Sequence, residues 1–262
     1  MALRTVTATR YVTPLREGGS LPAVIEADDD GLYVLKFRGA GQGPKALIAE
    51  LVAGEVARAL GLPIPELVFV ELDPELARTE PDPEIQDLIR ASAGLNLALD
   101  YLPGAITFDP LAWQTPDADL ASRIVWFDAY VTNLDRTPRN SNLLLWHRRL
   151  WLIDHGAALY VQHDWRDPLE RASSPFALIK DHVLLRFASR LAEADAHAMQ
   201  RLDAAAIEAI VALIPETWLG SDPAPFATQA QQRAAYVQYL TRRLHAPRVF
   251  VQEAQRARTA HL

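Results

Sequence analysis

The alternation of apolar and polar positions predicts a small sheet and one long helix in the first part of the chain. The segment GLYVLKF (31–37) alternates and is rich in β-branched and aromatic residues, and PELVFVEL (65–72) has the same character, so both are predicted strands. Between them, PKALIAELVAGEVARALG has a proline at a favourable first helical position, Pro44, and a terminating glycine, Gly61. The predicted order is strand, helix, strand.

The next two segments predict where this first unit ends. ELARTEPDPEIQD is rich in proline and acidic residues, and we expect it to be an exposed loop. LNLALDYLPGAITFDP predicts an extended segment that a proline and a glycine interrupt at positions 103 and 104. We place a boundary there, which gives an N-terminal lobe of residues 1–102 and a C-terminal lobe of residues 103–262.

The second lobe is predicted to be mainly helical. DLASRIVWFDAYVTNL has a helical period with Asp117 or Asp119 as its cap, and further helices are expected at about 178–194, 203–214 and 226–244. An exception is the pair of apolar runs NLLLW and LWLID, which HRR separates at hairpin length. The predicted fold class is therefore α+β, with two lobes.

Composition narrows the class of protein. The chain has 262 residues, half of them hydrophobic, which is enough to build a core. Its 33 acidic and 26 basic residues give a net charge of −7, which argues against direct nucleic-acid binding or an anionic membrane surface. With no cysteine, no apolar run of membrane-spanning length and no signal-peptide pattern at its start, we expect a cytoplasmic protein without a membrane span.

The predicted hairpin brings candidate metal ligands together. In an antiparallel hairpin, the start of the first strand lies about 5 Å from the end of the second. Asn140 and Asn142 enter the hairpin, Asp154 leaves it, and Asp135 lies on the loop just before. Hard oxygen ligands without cysteine favour magnesium, with manganese as an alternative. The five-residue step from Asp135 to Asn140 is typical of kinase-type phosphotransferases, in which such an aspartate accepts the substrate hydroxyl proton and the asparagine holds metal.

A phosphotransferase also needs a lysine for the phosphates and a glutamate to pair with it. Lys36 lies on the same strand face as apolar neighbours, where an unpaired ammonium would be costly. On the following helix, small residues surround Glu50, so we predict that Glu50 is its partner. Glu55 lies one turn from Arg58 and is expected to form an ordinary surface ion pair.

Two further features allow a structural as well as a functional interpretation. In REGGSLPAVIE, the backbone N–H groups of Gly18, Gly19 and Ser20 could approach phosphates, although a simple turn would have the same sequence. Arg136 or Arg139 could neutralise transferred charge, and a surface role fits either residue equally well.

The motifs VLKF, AELVAGEVARALGLPIPE, NLDRTPRN and LIDHG, in this order, resemble those of HipA-like kinases, a bacterial branch distantly related in fold to protein kinases and phosphatidylinositol kinases. The resemblance implies a two-lobed protein-kinase-like fold with ATP and a divalent ion between the lobes. It makes Lys36 the ATP lysine, Glu50 its helix partner, Asp135 the catalytic aspartate, and Asn140 and Asp154 the metal ligands.

The resemblance also predicts a hinge that faces the adenine, although a plain buried strand would have the same pattern. The hinge residues would be Ala98, Leu99, Asp100, Tyr101 and Leu102.

The expected activity is ATP- and magnesium-dependent transfer of a phosphoryl group to a serine or threonine hydroxyl. Alternatives are a small-molecule or lipid kinase of the same fold, or a nucleotide-binding pseudokinase. The acceptor is not identified by the sequence, and the resemblance leaves open whether an antitoxin-like protein is a partner. A metal-hydrolase site is disfavoured because the histidines around Asp154 lack the close spacing of metal ligands.

Overall fold

The N-terminal lobe of the computed structural model is a closed five-stranded barrel. The model describes residues 3–15, 21–111, 116–220, 225–245 and 247–260. The strand order is β1-β2-β3-β5-β4, and parallel pairing of β1 with β4 closes the barrel. The strands are β1 (Thr5–Pro14), β2 (Ala23–Ala27), β3 (Leu32–Lys36), β4 (Leu67–Leu72) and β5 (Gly94–Asp100).

Helix α1 (Pro44–Ala59) connects β3 to β4, as the apolar period predicts. Pro44 lies in its first turn, where a missing N–H costs nothing, and Gly61 follows its end with a φ of 71°. Almost every side chain of α1 between Leu47 and Ala57 is buried. A helix that is buried all round must have protein on both sides.

The segment before β5 is not the exposed loop that its composition suggested. It forms a 3-10 helix, Pro74–Thr79, and then helix α2, Pro83–Ala91. One of the acidic residues that favoured a loop is a helix cap, since Asp82 accepts a hydrogen bond from the backbone N–H of Glu84. Ile85 and Ile89 of α2 are buried with the barrel core. That tertiary contact outweighs the polar composition.

The C-terminal lobe is mainly helical. Helix α3 is capped by Asp117, which accepts from the Leu120 N–H at 2.9 Å. The helices are α3 (Ala118–Val131), α4 (Pro168–Ala172), α5 (Leu191–Arg201), α6 (Ala204–Val211), α7 (Gln229–Leu244) and α8 (Val249–Ala260).

The prediction of a continuous helix at 178–194 is wrong. That stretch forms two 3-10 helices, Ala177–Asp181 and Leu185–Phe187, before α5 begins. Its backbone donors are used in tertiary contacts: the N–H of Val183 donates to the carbonyl of Arg136, and the N–H of Leu184 donates to the His182 ring. These bonds replace those that a continuous helix would make.

The predicted hairpin is present within a three-stranded sheet of β6 (Ile106–Thr107), β7 (Leu143–Trp146) and β8 (Arg149–Leu152). Its turn consists of His147 and Arg148, whose φ values are 46° and 61°. Two consecutive left-handed residues are typical of a tight hairpin turn. The turn sets the pairing of Leu143 with Leu152 and so fixes where the two strands open.

The helical lobe holds α1 and its flanking loop along their length. Gln162 Nε2 donates to the carbonyl of Lys45, and His197 Nε2 lies 3.2 Å from the carbonyl oxygen of Leu60. Just beyond the helix, the N–H of Leu152 donates to the carbonyl of Pro63. The buried side chains of α1 share one core with those of the helical lobe, whereas the barrel interior forms a second core.

Trp218 makes a further link between the lobes. Its indole N–H donates to the carbonyl of Leu95 at 3.1 Å, and its ring lies edge-on to Phe69 with 5.7 Å between centroids. Among the described helices, none is long and apolar enough to cross a membrane.

Trp218→Ala should lower the free energy of unfolding by about 3–5 kcal/mol, because it removes a large side chain that is 1% exposed. Trp218→Phe should cost less, since it keeps most of the apolar contact and loses chiefly the hydrogen bond to Leu95, worth about 1 kcal/mol. Urea unfolding followed by circular dichroism measures both. Equal losses for the two variants would contradict this account.

Candidate active site

The candidate site consists of two neighbouring clusters, and the first is a buried ammonium between two carboxylates. Lys36, the last residue of β3, places Nζ 2.8 Å from Asp154 Oδ1 and 3.8 Å from Glu50 Oε2. Glu50 is 1% exposed and comes from α1, whereas Asp154 follows β8 of the other lobe. Three separate elements therefore meet at one charge cluster.

The charges in this cluster stabilise one another. Burial alone would lower the pKa of Lys36, but the charges of Glu50 and Asp154 outweigh it and raise the pKa. Burial alone would raise the pKa of Glu50, but Lys36 and hydrogen bonds from His155 lower it. Both groups are therefore charged at neutral pH.

Glu55 differs from its predicted surface position. It does pair with Arg58, but its side chain is 3% exposed. The predicted ion pair exists, and the prediction of a solvated face was wrong, because every residue of α1 from Leu47 to Ala57 is buried.

The second cluster lies on the loop that carries Asp135. Asn140 Nδ2 donates to Asp135 Oδ2 at 2.7 Å, and Asn142 Nδ2 lies 3.3 Å from the same oxygen. Partial burial raises the pKa of Asp135, and the charge of Asp154 acts in the same direction. Asp135 is thus close enough to Asp154 for the two charges to interact.

The end of the hairpin joins the cluster around Lys36 to the loop of Asp135. The N–H of Ile153 donates to the carbonyl of Asn142 at 3.1 Å, which puts Asp154 next to the asparagine loop. Asn142 and Asp154 have φ values of 46° and 54°. The backbone turns out of the ladder at both positions, so their side chains leave the regular strand direction.

Arg136 is neither a surface residue nor a member of either cluster. It is 1% exposed, and its guanidinium donates to the carbonyls of Asn142 and Ile153, on opposite strands of the hairpin end. Its Nε donates to Asp128 of α3. Arg136 therefore connects the loop of Asp135 to the hairpin, a role that the sequence analysis missed.

Asp128 is the centre of this buried network. Its carboxylate accepts from Arg136 Nε at 2.6 Å, Asn133 Nδ2 at 2.9 Å and His182 Nε2 at 2.9 Å. Burial alone would raise the pKa of Asp128, but Arg136 and His182 outweigh it and hold the pKa well below its usual range. An acid inside the apolar run IVWFDAYV is the sequence signal that could have identified it.

The predicted nucleotide-contacting segments differ in how far the structure describes them. Gly18, Gly19 and Ser20 lie outside the described residues. Ala98 and Leu99 are inside β5, where the ladders to β3 and β4 engage the strand on both sides.

Two of the other hinge residues also use their backbone donors within the protein. The N–H groups of Asp100 and Tyr101 donate to the carbonyls of Glu66 and Leu32. Leu102 follows them at the predicted lobe boundary and is 6% exposed.

The oxygen donors of Asp154 and Asn140 fit a magnesium ion. Asp154 is 36% exposed at its side chain, and Asn140 is exposed, so both are accessible to a cation. Because Asn140 Nδ2 is bonded to Asp135, its Oδ1 is the atom left for a metal. Within the described residues, no group of three or more His, Cys, Asp or Glu side chains could hold a metal. Mg²⁺ often binds through one or two protein ligands together with water and substrate phosphates.

The sequence matches a family model described as "HipA-like kinase" over residues 9–250, which is most of the chain. The chain belongs to the HipA-like kinase family. By family it is a kinase-type phosphotransferase. A comparison with curated proteins found no match.

A solved structure supports a protein-kinase-like fold for this HipA-like kinase. A Helicobacter pylori proinflammatory kinase, CtkA, aligns with a TM-score of 0.54 and 12% identity, covering 98% of this chain and 99% of that one. A Golgi casein kinase with Mn/ADP bound gives a TM-score of 0.48 and 12% identity over 98% of this chain and 73% of that one. At this identity, the likeness concerns the fold alone.

Asp128→Ala should destabilise the protein by about 3–5 kcal/mol, because it leaves Arg136 buried without its carboxylate. The matched control is Asp119→Ala on the same helix, which removes an ion pair with Arg123 at the surface and should cost at most about 1 kcal/mol. Chemical denaturation measures both. Similar losses for the two variants would show that the buried network adds no special stability.

His182 should make stability fall below neutral pH. Burial lowers the pKa of its imidazole, although the bond to Asp128 acts in the opposite direction. The unfolded state then takes up a proton below about pH 6.5, and the folded state does so only at lower pH. The free energy of unfolding should decrease as the pH falls through this window, and His182→Gln should reduce the decrease. His245→Gln, at an exposed position, is the control and should leave the pH dependence unchanged.

Proposed function

We propose that this HipA-like kinase binds ATP with Mg²⁺ between its lobes and transfers the γ-phosphoryl group to a serine or threonine hydroxyl on a protein. The observation that carries the proposal is the position of Asp154. It binds Lys36 at 2.8 Å, and it lies close enough to Asp135 for their charges to interact. Asn140 is in turn bonded to Asp135. Phosphoryl transfer needs such a combination of positive charge, metal-binding oxygens and a group that orients the nucleophile.

Each residue has a role that its surroundings support. Lys36 stays charged and would balance the charge of phosphate oxygens, while Glu50 holds it in place. Asp135 would accept the proton of the attacking hydroxyl, and its raised pKa makes its carboxylate a better base. Asn140 and Asp154 would hold the cation, which when bound neutralises phosphate charge. Mn²⁺ could use the same oxygen ligands.

Charge favours a protein acceptor over an anionic lipid. The chain has a net charge of −7, and an acidic protein gains little electrostatic attraction to a negatively charged membrane surface. A serine or threonine side chain presents the hydroxyl that a carboxylate such as Asp135 can deprotonate. Transfer to a small molecule or lipid, or nucleotide binding without transfer, is an alternative outcome of the experiment below.

The two aspartates should fail in different ways. Asp135→Asn should bind Mg-ATP close to wild-type affinity but lose about 10²–10⁴-fold in turnover, because an orienting base acts chiefly in the transition state. Asp154→Asn should also lose magnesium-dependent affinity, because a metal ligand supports the ground-state complex. Calorimetry with and without magnesium, together with ATP hydrolysis or autophosphorylation, measures both without a known acceptor.

Asp87→Asn is the matched control, since Asp87 lies on the exposed face of α2 and should leave both quantities unchanged. Phosphate transferred to protein should be recovered as phosphoserine or phosphothreonine. Tight binding without turnover in the wild type, with no effect of Asp135→Asn, would favour the pseudokinase. Equal loss of affinity in both variants would contradict the division of roles.

A further inference from the structure

His155, the residue after Asp154, contacts the carboxylate of Glu50 twice. Its backbone N–H donates to Glu50 Oε2 at 2.9 Å, and its ring Nδ1 lies 3.1 Å from Glu50 Oε1. The residue is 1% exposed, and its ring meets Phe127 of α3 edge-on at 5.6 Å between centroids. One residue of the helical lobe therefore contacts both oxygens of the glutamate on α1.

The distances show which neighbour fixes the Glu50 carboxylate. Lys36 Nζ is 3.8 Å from Glu50, beyond hydrogen-bond length, and makes its short contact of 2.8 Å with Asp154. The two bonds from His155 are within hydrogen-bond length. The orientation of Glu50 thus depends on His155 more than on Lys36.

We infer that His155 is a positioning residue that holds Glu50 and thereby couples the Lys36 ammonium to the loop of the proposed metal ligand Asp154. This inference rests on the proposed function. The backbone bond keeps α1 next to the hairpin end, and the ring bond selects the orientation of the carboxylate. Glu50 in turn supplies part of the negative charge around Lys36, which would face the proposed nucleotide site.

The chemistry of the ring distinguishes this role from simple packing. Among the described residues, Nε2 of His155 is buried without a hydrogen-bond partner, which costs free energy. A phenyl ring would fill similar space against Phe127 without burying nitrogen. What the imidazole adds is the Nδ1–H donor to Glu50, since an ionised carboxylate can only accept a hydrogen bond.

Two substitutions separate the donor from the packing. His155→Asn keeps an N–H close to the position of Nδ1 but leaves unfilled space, whereas His155→Phe fills the space and removes the donor. We expect turnover close to wild type for His155→Asn and a loss of about 10- to 100-fold for His155→Phe, as for a misplaced catalytic group. Melting temperature should rank them in the opposite order. If turnover and melting temperature both place Phe above Asn, the role is packing and the inference is wrong.

His197→Phe is the matched control, because His197 also joins the helical lobe to α1 but contacts the carbonyl of Leu60 instead of Glu50. It should leave turnover unchanged. A loss as large as that of His155→Phe would show that any loosening of α1 has this effect, and would overturn the specific role of His155.

A second measurement needs no nucleotide, so it separates this inference from the proposed function. The shifts in melting temperature caused by His155→Phe and Glu50→Ala should be non-additive in the double variant, because each removes the hydrogen bond between His155 Nδ1 and Glu50. Additive shifts would overturn the inference even if the protein turns over ATP. Non-additive shifts in a protein that binds no Mg-ATP would support the contact and contradict the proposed function instead.

Discussion

The architecture depends on the need to compensate the buried charge of Lys36. An ammonium at the end of a barrel strand is costly unless carboxylates meet it, and the two that do so come from different parts of the chain. Glu50 requires α1 to lie against the barrel, and Asp154 requires the hairpin of the other lobe to end beside it. One charge thus defines the relative positions of β3, α1 and β8.

The fixed position of α1 follows from its surroundings. The helix is buried on all sides, shares its core with the helical lobe, and has backbone carbonyls at both ends bound by Gln162 and His197. A shift of α1 would break these bonds and would also expose apolar surface. The charge cluster is therefore built into the packing of the lobes.

A second set of buried charges positions the loop that carries Asp135. Asp128 binds Arg136, and Arg136 binds the carbonyls at the open end of the hairpin. The loop of Asp135 and the start of the Asp154 loop are thereby held by one guanidinium. Each of the two clusters thus depends on a buried ion pair that is expensive to separate.

The sequence alone determined the elements with strong local signals: the strands around Lys36, helix α1 with Pro44 and Gly61, the hairpin, and the order of the motifs. It also indicated that Lys36 and Glu50 belong together, because a lone ammonium on an apolar strand face and an acid among small residues each need a partner. The tertiary structure decided what depends on distant contacts. The 178–194 segment became short 3-10 turns because its N–H groups bind Arg136 and His182, and the acidic segment before β5 became a helix because Ile85 and Ile89 could be buried. Likewise, Arg136 and His155 are ordinary polar residues in sequence, and their partners Asp128 and Glu50 lie 8 and 105 positions away. Local patterns encode periodicity and turn chemistry. The contacts that fix these side chains exist only after packing, within the helical lobe for Arg136 and between the two lobes for His155.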